Sequence, residues 1–236
     1  MNNKKLITSL GLALLISTPA VADLYITEQI PASQDNTLIE NPDGARSDGT
    51  GPYFRVGLTG GNLGGGVRRG LVHFDLEGVI PPEARIEDVA LHLYLARGEV
   101  EKVSVRLYRA VRDWGEGASC SSGGKGAPAQ TGDATWLHTF YDISFWDEAG
   151  GDRARPASAR EFVGMPDSYT WSSNRMKRDV QLWVEQPAEN FGWLVIGDER
   201  TPNSAVAFGS REAAQCDTTP TGIPGPMLEV TYSVPE

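Results

Sequence analysis

Cysteine, histidine and long apolar runs are scarce in this chain. Its 236 residues hold two cysteines and three histidines. Cys120 and Cys216 stand in no CxxC, and His73, His92 and His138 form no HExxH or Cys/His cluster, which disfavours zinc and thiol-redox chemistry. No Gly-x-Ser-x-Gly elbow occurs, so the commonest serine-hydrolase signature is missing. No stretch approaches the roughly 18 unbroken apolar residues of a spanning helix, and no membrane span is expected in the mature chain. Basic residues are also short, 21 against 31 acids. An acidic surface repels a phosphate backbone, so nucleic acid is not an expected partner. Divalent cations and neutral sugars remain compatible with it.

The start of the chain has a form of its own. Lys4 and Lys5 precede a short apolar run, Leu6 to Ile16, and Ala20-Val21-Ala22 has the small-x-small form of a cleavage site. Residues 1–22 are expected to be a secretory signal peptide, cleaved after Ala22. The expected location is secreted or periplasmic, with cell-surface association open. The last residues, "VTYSVPE", carry no hydrophobic or basic sorting tail, and no C-terminal anchor is expected. The remaining 214 residues carry 19 basic and 31 acidic side chains, a formal charge of −12. That length suits one large β domain, 23–236.

Period two dominates the mature chain. In "VALHLYLA", Val89, Leu91, Leu93 and Leu95 share one face. "LVHFDL", "VSVRLYRAV" and "MLEVTYSV" alternate in the same way, and turn residues such as "NPDG", "GGNLGGG" and "IPPEA" separate such runs. Many short strands with Gly/Pro turns predict an all-β antiparallel sandwich. Its core should include Phe74, Leu91, Leu93, Val105, Leu107, Leu194, Ile196, Val230 and Tyr232. One segment departs from the pattern. Met176, Val180, Trp183 and Val184 fall at i, i+4, i+7 and i+8, predicting one short α-helix near 173–185, capped by Ser172 or Ser173.

The least regular part, about 113–170, reads as a long loop insert. It carries Trp114, Trp136 and Trp146, with Trp171 at its end. Flat aromatic rings suit the C–H faces of sugars, which makes these four candidate ligand-binding residues; the alternative is a satellite core under the loop. Trp183 and Trp193 read as core. Cys120 lies in the insert, and export permits a Cys120–Cys216 disulfide that would pin it near the last strand.

Hard oxygen ligands cluster twice. Asp35, Glu40, Asn41 and Asp43 surround one turn, and Asp133 and Asp152 stand beside glycines in the insert. Such sets suit a structural calcium ion, although the spacing is not that of an EF-hand. Asn41 and Asp43 bonding their own backbone is the competing reading. Arg211 reads as a structural partner for a carboxylate such as Glu40.

Several runs, in order, resemble the bacterial DNRLRE-domain proteins, a jelly-roll group related to family 96 carbohydrate-binding modules. They are "DNTLIENPDGARSDGTGPYFRVG", "RRGLVHFDL", "IPPEARIEDVALHLYL", "VRLYRAVRDWGEG", "DVQLWVEQPAENFGWLVIGDE" and "PMLEVTYS". The resemblance implies a jelly-roll sandwich, and it implies polysaccharide or a cell-surface glycan as the partner class. The leading expectation is a secreted, non-catalytic carbohydrate-binding or cell-surface module. A structural or matrix protein assembling with other proteins is the alternative, and a polysaccharide-active enzyme is the second alternative. Paired acids for a glycosidase cannot be read from sequence, because their separation is a property of the fold.

Overall fold

The computed structural model describes residues 24–98, 102–212, 214, 216 and 220–234. The expected leader and its cleavage site lie outside the described residues. Four strands form one antiparallel sheet in the order β1 (Leu24–Pro31), β15 (Met227–Val234), β6 (Arg85–Arg97), β12 (Asp167–Ser172). Four more form a second in the order β5 (Val67–His73), β13 (Trp193–Ile196), β7 (Val103–Arg109), β11 (Ala159–Val163). Followed along the chain, these eight strands pass between the sheets as a jelly roll does. The fold expected from the period-two runs is therefore the one observed.

Three further strands join the two sheets. β2 (Gln34–Ile39) lies beside β5. β14 (Val206–Gly209) lies between β6 and β4 (Tyr53–Leu58). β4 changes sheets along its length: Tyr53–Val56 pair with β14, whereas Gly57 and Leu58 pair with β5. The bend falls at Gly57, whose φ is +113°, and a Cβ there would lie 2.9 Å from the Ser204 carbonyl oxygen. Only glycine takes that conformation in that space without strain.

The helix α1 (Asn174–Glu185) lies against β6. The Ser173 hydroxyl caps it by accepting from the Arg175 and Met176 amides. Met176, Val180, Trp183 and Val184 are the buried stripe, as their spacing requires. Gln181 fixes the helix to the start of β6, accepting from the Ile86 amide and donating to the carbonyl of Ala84 just before it.

Two cores result. The inner one fills the space between the sheets with Phe74, Val89, Leu91, Leu93, Val105, Leu107, Val230 and Phe208, joined by Trp171, Trp183 and Trp193. The second lies on the outer face of the β5–β13–β7 sheet and gathers Leu38, Leu71, Trp114, Trp146, Leu194 and Ile196. Leu194 and Ile196 are buried as expected, but in this outer core. β13 is therefore buried on both faces, and so is most of β2 and β5. Alternation disappears from such strands because neither face meets water.

The irregular excursion is shorter than its sequence suggested. It returns to the sandwich at β11 and β12, so only about 111–158 lies outside it. β11 is an edge strand buried mainly at its two ends, Ala159 and Val163, which leaves almost no period to read. Within the excursion run β8 (Ala127–Pro128), paired with β3 (Arg46–Ser47), and a hairpin of β9 (His138–Phe140) and β10 (Ser144–Phe145).

Candidate ligand pocket

Three of the four candidate tryptophans are buried. Trp114 is 2 % exposed and Trp146 6 %. Each indole N–H reaches a backbone carbonyl, Trp114 that of Phe191 and Trp146 that of Thr135, both at 2.9 Å. Trp171 lies in the inner core and donates to the Val105 carbonyl at 3.1 Å. None of these three presents a ring face to solvent. Trp136 is half-buried beneath the Arg69 guanidinium, whose carbon is 4.9 Å from the ring centre. A long loop with few aliphatics needs large side chains to bury, and Trp114, Trp136 and Trp146 meet that need.

The expected calcium ligands each accept from donors of the chain itself. Asp133 accepts from the Ala118 and Gln130 amides at 2.8 and 2.7 Å. Gly117, with φ +74°, brings the chain so close that a Cβ would overlap the Asp133 carboxylate. Asp152 accepts from the Asp147 and Glu148 amides and from Arg112. Glu40 accepts from the Val67 amide, Asn41 from the Asp43 amide and Asp43 from the Ala45 amide. Asp35 is buried and accepts from the Arg211 amide at 2.5 Å. Arg211 grips Glu116 with two nitrogens, at 3.0 and 2.6 Å, in place of the expected Glu40. Burial, then the neighbouring Glu212, holds the Asp35 carboxyl well above its ordinary value. Among the described residues no group of three or more His, Cys, Asp and Glu is arranged to hold a metal ion. Cys120 and Cys216 are joined in a disulfide that ties the excursion to the segment preceding β15.

A cationic hollow is the feature that the sequence reading missed. Ala207 of β14 stands between Arg55 of β4 and Arg97 of β6 in the strand register. A small residue between two long ones leaves a hollow. Loops close round it: Thr59, Gly60, Asn62 and Leu63 on one side, Ser122, Gly123 and Gly124 of the excursion on another, and Asn203 before β14. The cavity is about 330 Å³.

Two guanidiniums, Arg55 and Arg97, line this hollow, and a third, Arg68, braces its walls. Arg68 is 2 % exposed and donates to the carbonyls of Gly124, Gly65, Val67 and Leu63, so it holds the walls in place. Burial, then the Arg55 charge, lowers it to about 10, so it stays protonated at neutral pH. Arg97 is exposed and stacks on the Tyr53 ring at 4.9 Å, with Arg55 over the same ring at 5.7 Å. The Arg55 side chain is 8 % exposed, and its buried Nη1 has no hydrogen-bond partner. The nearest opposite charge is Asp48, at 3.7 Å, too far for a hydrogen bond. Burial lifts the Asp48 carboxyl to about 7, against the Ser121 amide and Arg55, which both favour its ionised form. A buried guanidinium with an unused N–H is costly unless something completes it, and an anion in the hollow would do so.

The nearest thing to a hydroxyl–base pair lies elsewhere. Ser33 Oγ and His73 Nδ1 are 2.6 Å apart, while His73 Nε2 faces the Asn190 carbonyl at 3.2 Å. Ser33 Oγ also reaches the His73 carbonyl at 3.2 Å, which accounts for the pair as a strand-end contact. No family model matches the chain, and no curated protein is similar to it at a significant level. Among the described residues no helix is long and apolar enough to cross a membrane.

Little in the sequence singled out the three arginines. "YFRVGL" and "VRRGLV" place charges inside buried strands, which are local anomalies. The convergence of β4, β6 and the excursion on the hollow is a property of the topology.

Proposed function

We propose that the protein is an exported, non-catalytic carbohydrate-binding or cell-surface module whose ligand carries an anionic group. The observation that carries this reading is Arg55, on a hollow shared with Arg97, whose buried Nη1 has no hydrogen bond and only a 3.7 Å ion pair with Asp48. A guanidinium pair matches a carboxylate or sulfate, and the surrounding Asn62, Asn203 and Ser122 supply amides and a hydroxyl of the kind that bind sugar hydroxyls. The leader-like start of the chain and the resemblance of its strand runs to DNRLRE-domain proteins point the same way. Against an overall charge of −12 for residues 23–236, a cationic hollow is a local exception. It would draw an acidic glycan to one place and repel it elsewhere.

Retention on immobilised polysaccharides tests this. The protein is passed over uronate-rich, sulfated and neutral matrices, with Arg97→Ala as the comparison. Retention on an acidic matrix that weakens with added salt and with Arg97→Ala is expected. Absence of retention on all three classes removes the reading.

A further inference from the structure

A second cavity, of about 500 Å³, lies where the loop between β5 and β6 meets the end of α1. Its apolar wall includes Leu76, Ile80, Trp183 and Pro187. Trp183 is 1 % exposed, yet its Nε1–H has no hydrogen-bond acceptor. An indole N–H buried without a partner is costly, and the other four buried indoles, those of Trp114, Trp146, Trp171 and Trp193, all have theirs bonded.

The other polar groups are already committed. Asn190 donates to the Phe74 carbonyl, and its side-chain oxygen accepts from the Gly192 amide. His73 is held between Ser33 and Asn190, and burial pushes its pKa below the ordinary value, so it adds no positive charge at neutral pH. What remains are two exposed carboxylates on the lining, Asp75 and Glu77; no lysine or arginine lines the cavity. Asp75 uses one oxygen to accept from the Glu77 amide and keeps the other free for a ligand.

We infer that this cavity is a binding site for a small organic cation, an amine with an apolar ring and one hydrogen-bond acceptor. The ring fills the wall beside Trp183, the acceptor takes the Trp183 N–H, and the ammonium meets Asp75 and Glu77. This site is independent of the arginine hollow and has the opposite charge preference.

Calorimetric titration of the mature protein with tyramine, phenethylamine and 4-ethylphenol tests it. Tyramine has ring, amine and acceptor; phenethylamine lacks the acceptor, and 4-ethylphenol lacks the amine. Tyramine is expected to bind at least about tenfold more tightly than either analogue. Asp75→Asn with Glu77→Gln should bring tyramine down to the 4-ethylphenol level. Both residues are exposed, and the amide oxygen introduced by Asp75→Asn still accepts from the turn, so the fold is preserved. Trp183→Phe should erase the preference of tyramine over phenethylamine. The inference is overturned if 4-ethylphenol matches tyramine, if the double variant binds tyramine unchanged, or if tyramine fails to titrate below about 10 mM.

Discussion

The inner core and the outer layer of this jelly roll solve the same problem with different materials. Between the sheets, alternating aliphatics such as Leu91, Leu93 and Val105 are buried by strand pleating alone. Over the β5–β13–β7 face, the excursion has no long ladder to order it. It relies on tryptophans whose N–H groups find carbonyls and on carboxylates that cap backbone amides, Asp133 and Asp152 above all. The difference shows how a long loop becomes ordered. Side chain-to-backbone bonds take over the role of strand pairing, and each one leaves a buried amide unsatisfied if it is lost.

The comparison can be broken in stages. The largest effect is expected from Cys120→Ser with Cys216→Ser. Releasing a loop of 96 residues should cost about 4–5 kcal/mol in the chain-entropy model, read as a lower urea midpoint. Leu91→Ala in the inner core should follow at about 3 kcal/mol, as a cooperative loss with the urea slope unchanged. Asp133→Ala should cost about 2 kcal/mol, with a different signature. Hydrogen exchange should accelerate at Ala118 and Gln130 while the β6 and β15 amides stay protected. Equal acceleration in both regions would show that the layers do not differ.

A separate test concerns pH. The Asp48 carboxyl, lifted by burial to about 7, keeps a proton that the unfolded chain releases near its ordinary value. The folded state binds more protons across that window, so stability should fall as pH rises from about 4 to about 7, by at most about 1.4 kcal/mol per pH unit. Asp48→Asn should flatten the slope, measured as melting temperature against pH. The smallest effect is expected from calcium. Because Asp35, Asp43, Asp133 and Asp152 already accept backbone amides, samples in calcium and in EDTA should melt together. A rise of several degrees with calcium would restore the ion reading of those loops.

These contrasts also explain what could be read in the sequence. Strands with one face inward announce themselves by period two, as "VALHLYLA" does. The helix announces itself by Met176, Val180, Trp183 and Val184. "QDNTLI" and "WLVI" do not alternate, because the excursion covers their second face and buries Asp35, Asn36 and Thr37 along with the aliphatics. The tryptophans of the excursion were visible as a group, but sugar platform and satellite core use the same residues, and only burial separates them. The acidic loops were ambiguous for the same reason: a carboxylate that caps a turn and one that holds an ion look alike in sequence. Arg55, Arg68 and Arg97 are separated by 42 positions and become neighbours only when β4 crosses between the sheets.

The arginine hollow sits where the two layers meet, with Gly123 and Gly124 of the excursion forming a wall opposite Arg97 of the sandwich. Its role is tested most directly by calorimetric titration of an oligouronate at pH 6 and pH 8. The proteins compared are the wild type, Arg97→Ala, and Arg55→Met paired with Asp48→Asn so that no buried charge is stranded. The expected result is tighter binding at pH 6, where protonated Asp48 no longer competes for Arg55, and at least about a tenfold loss in both variants. Equal affinity in all three proteins, with no dependence on pH, would contradict it.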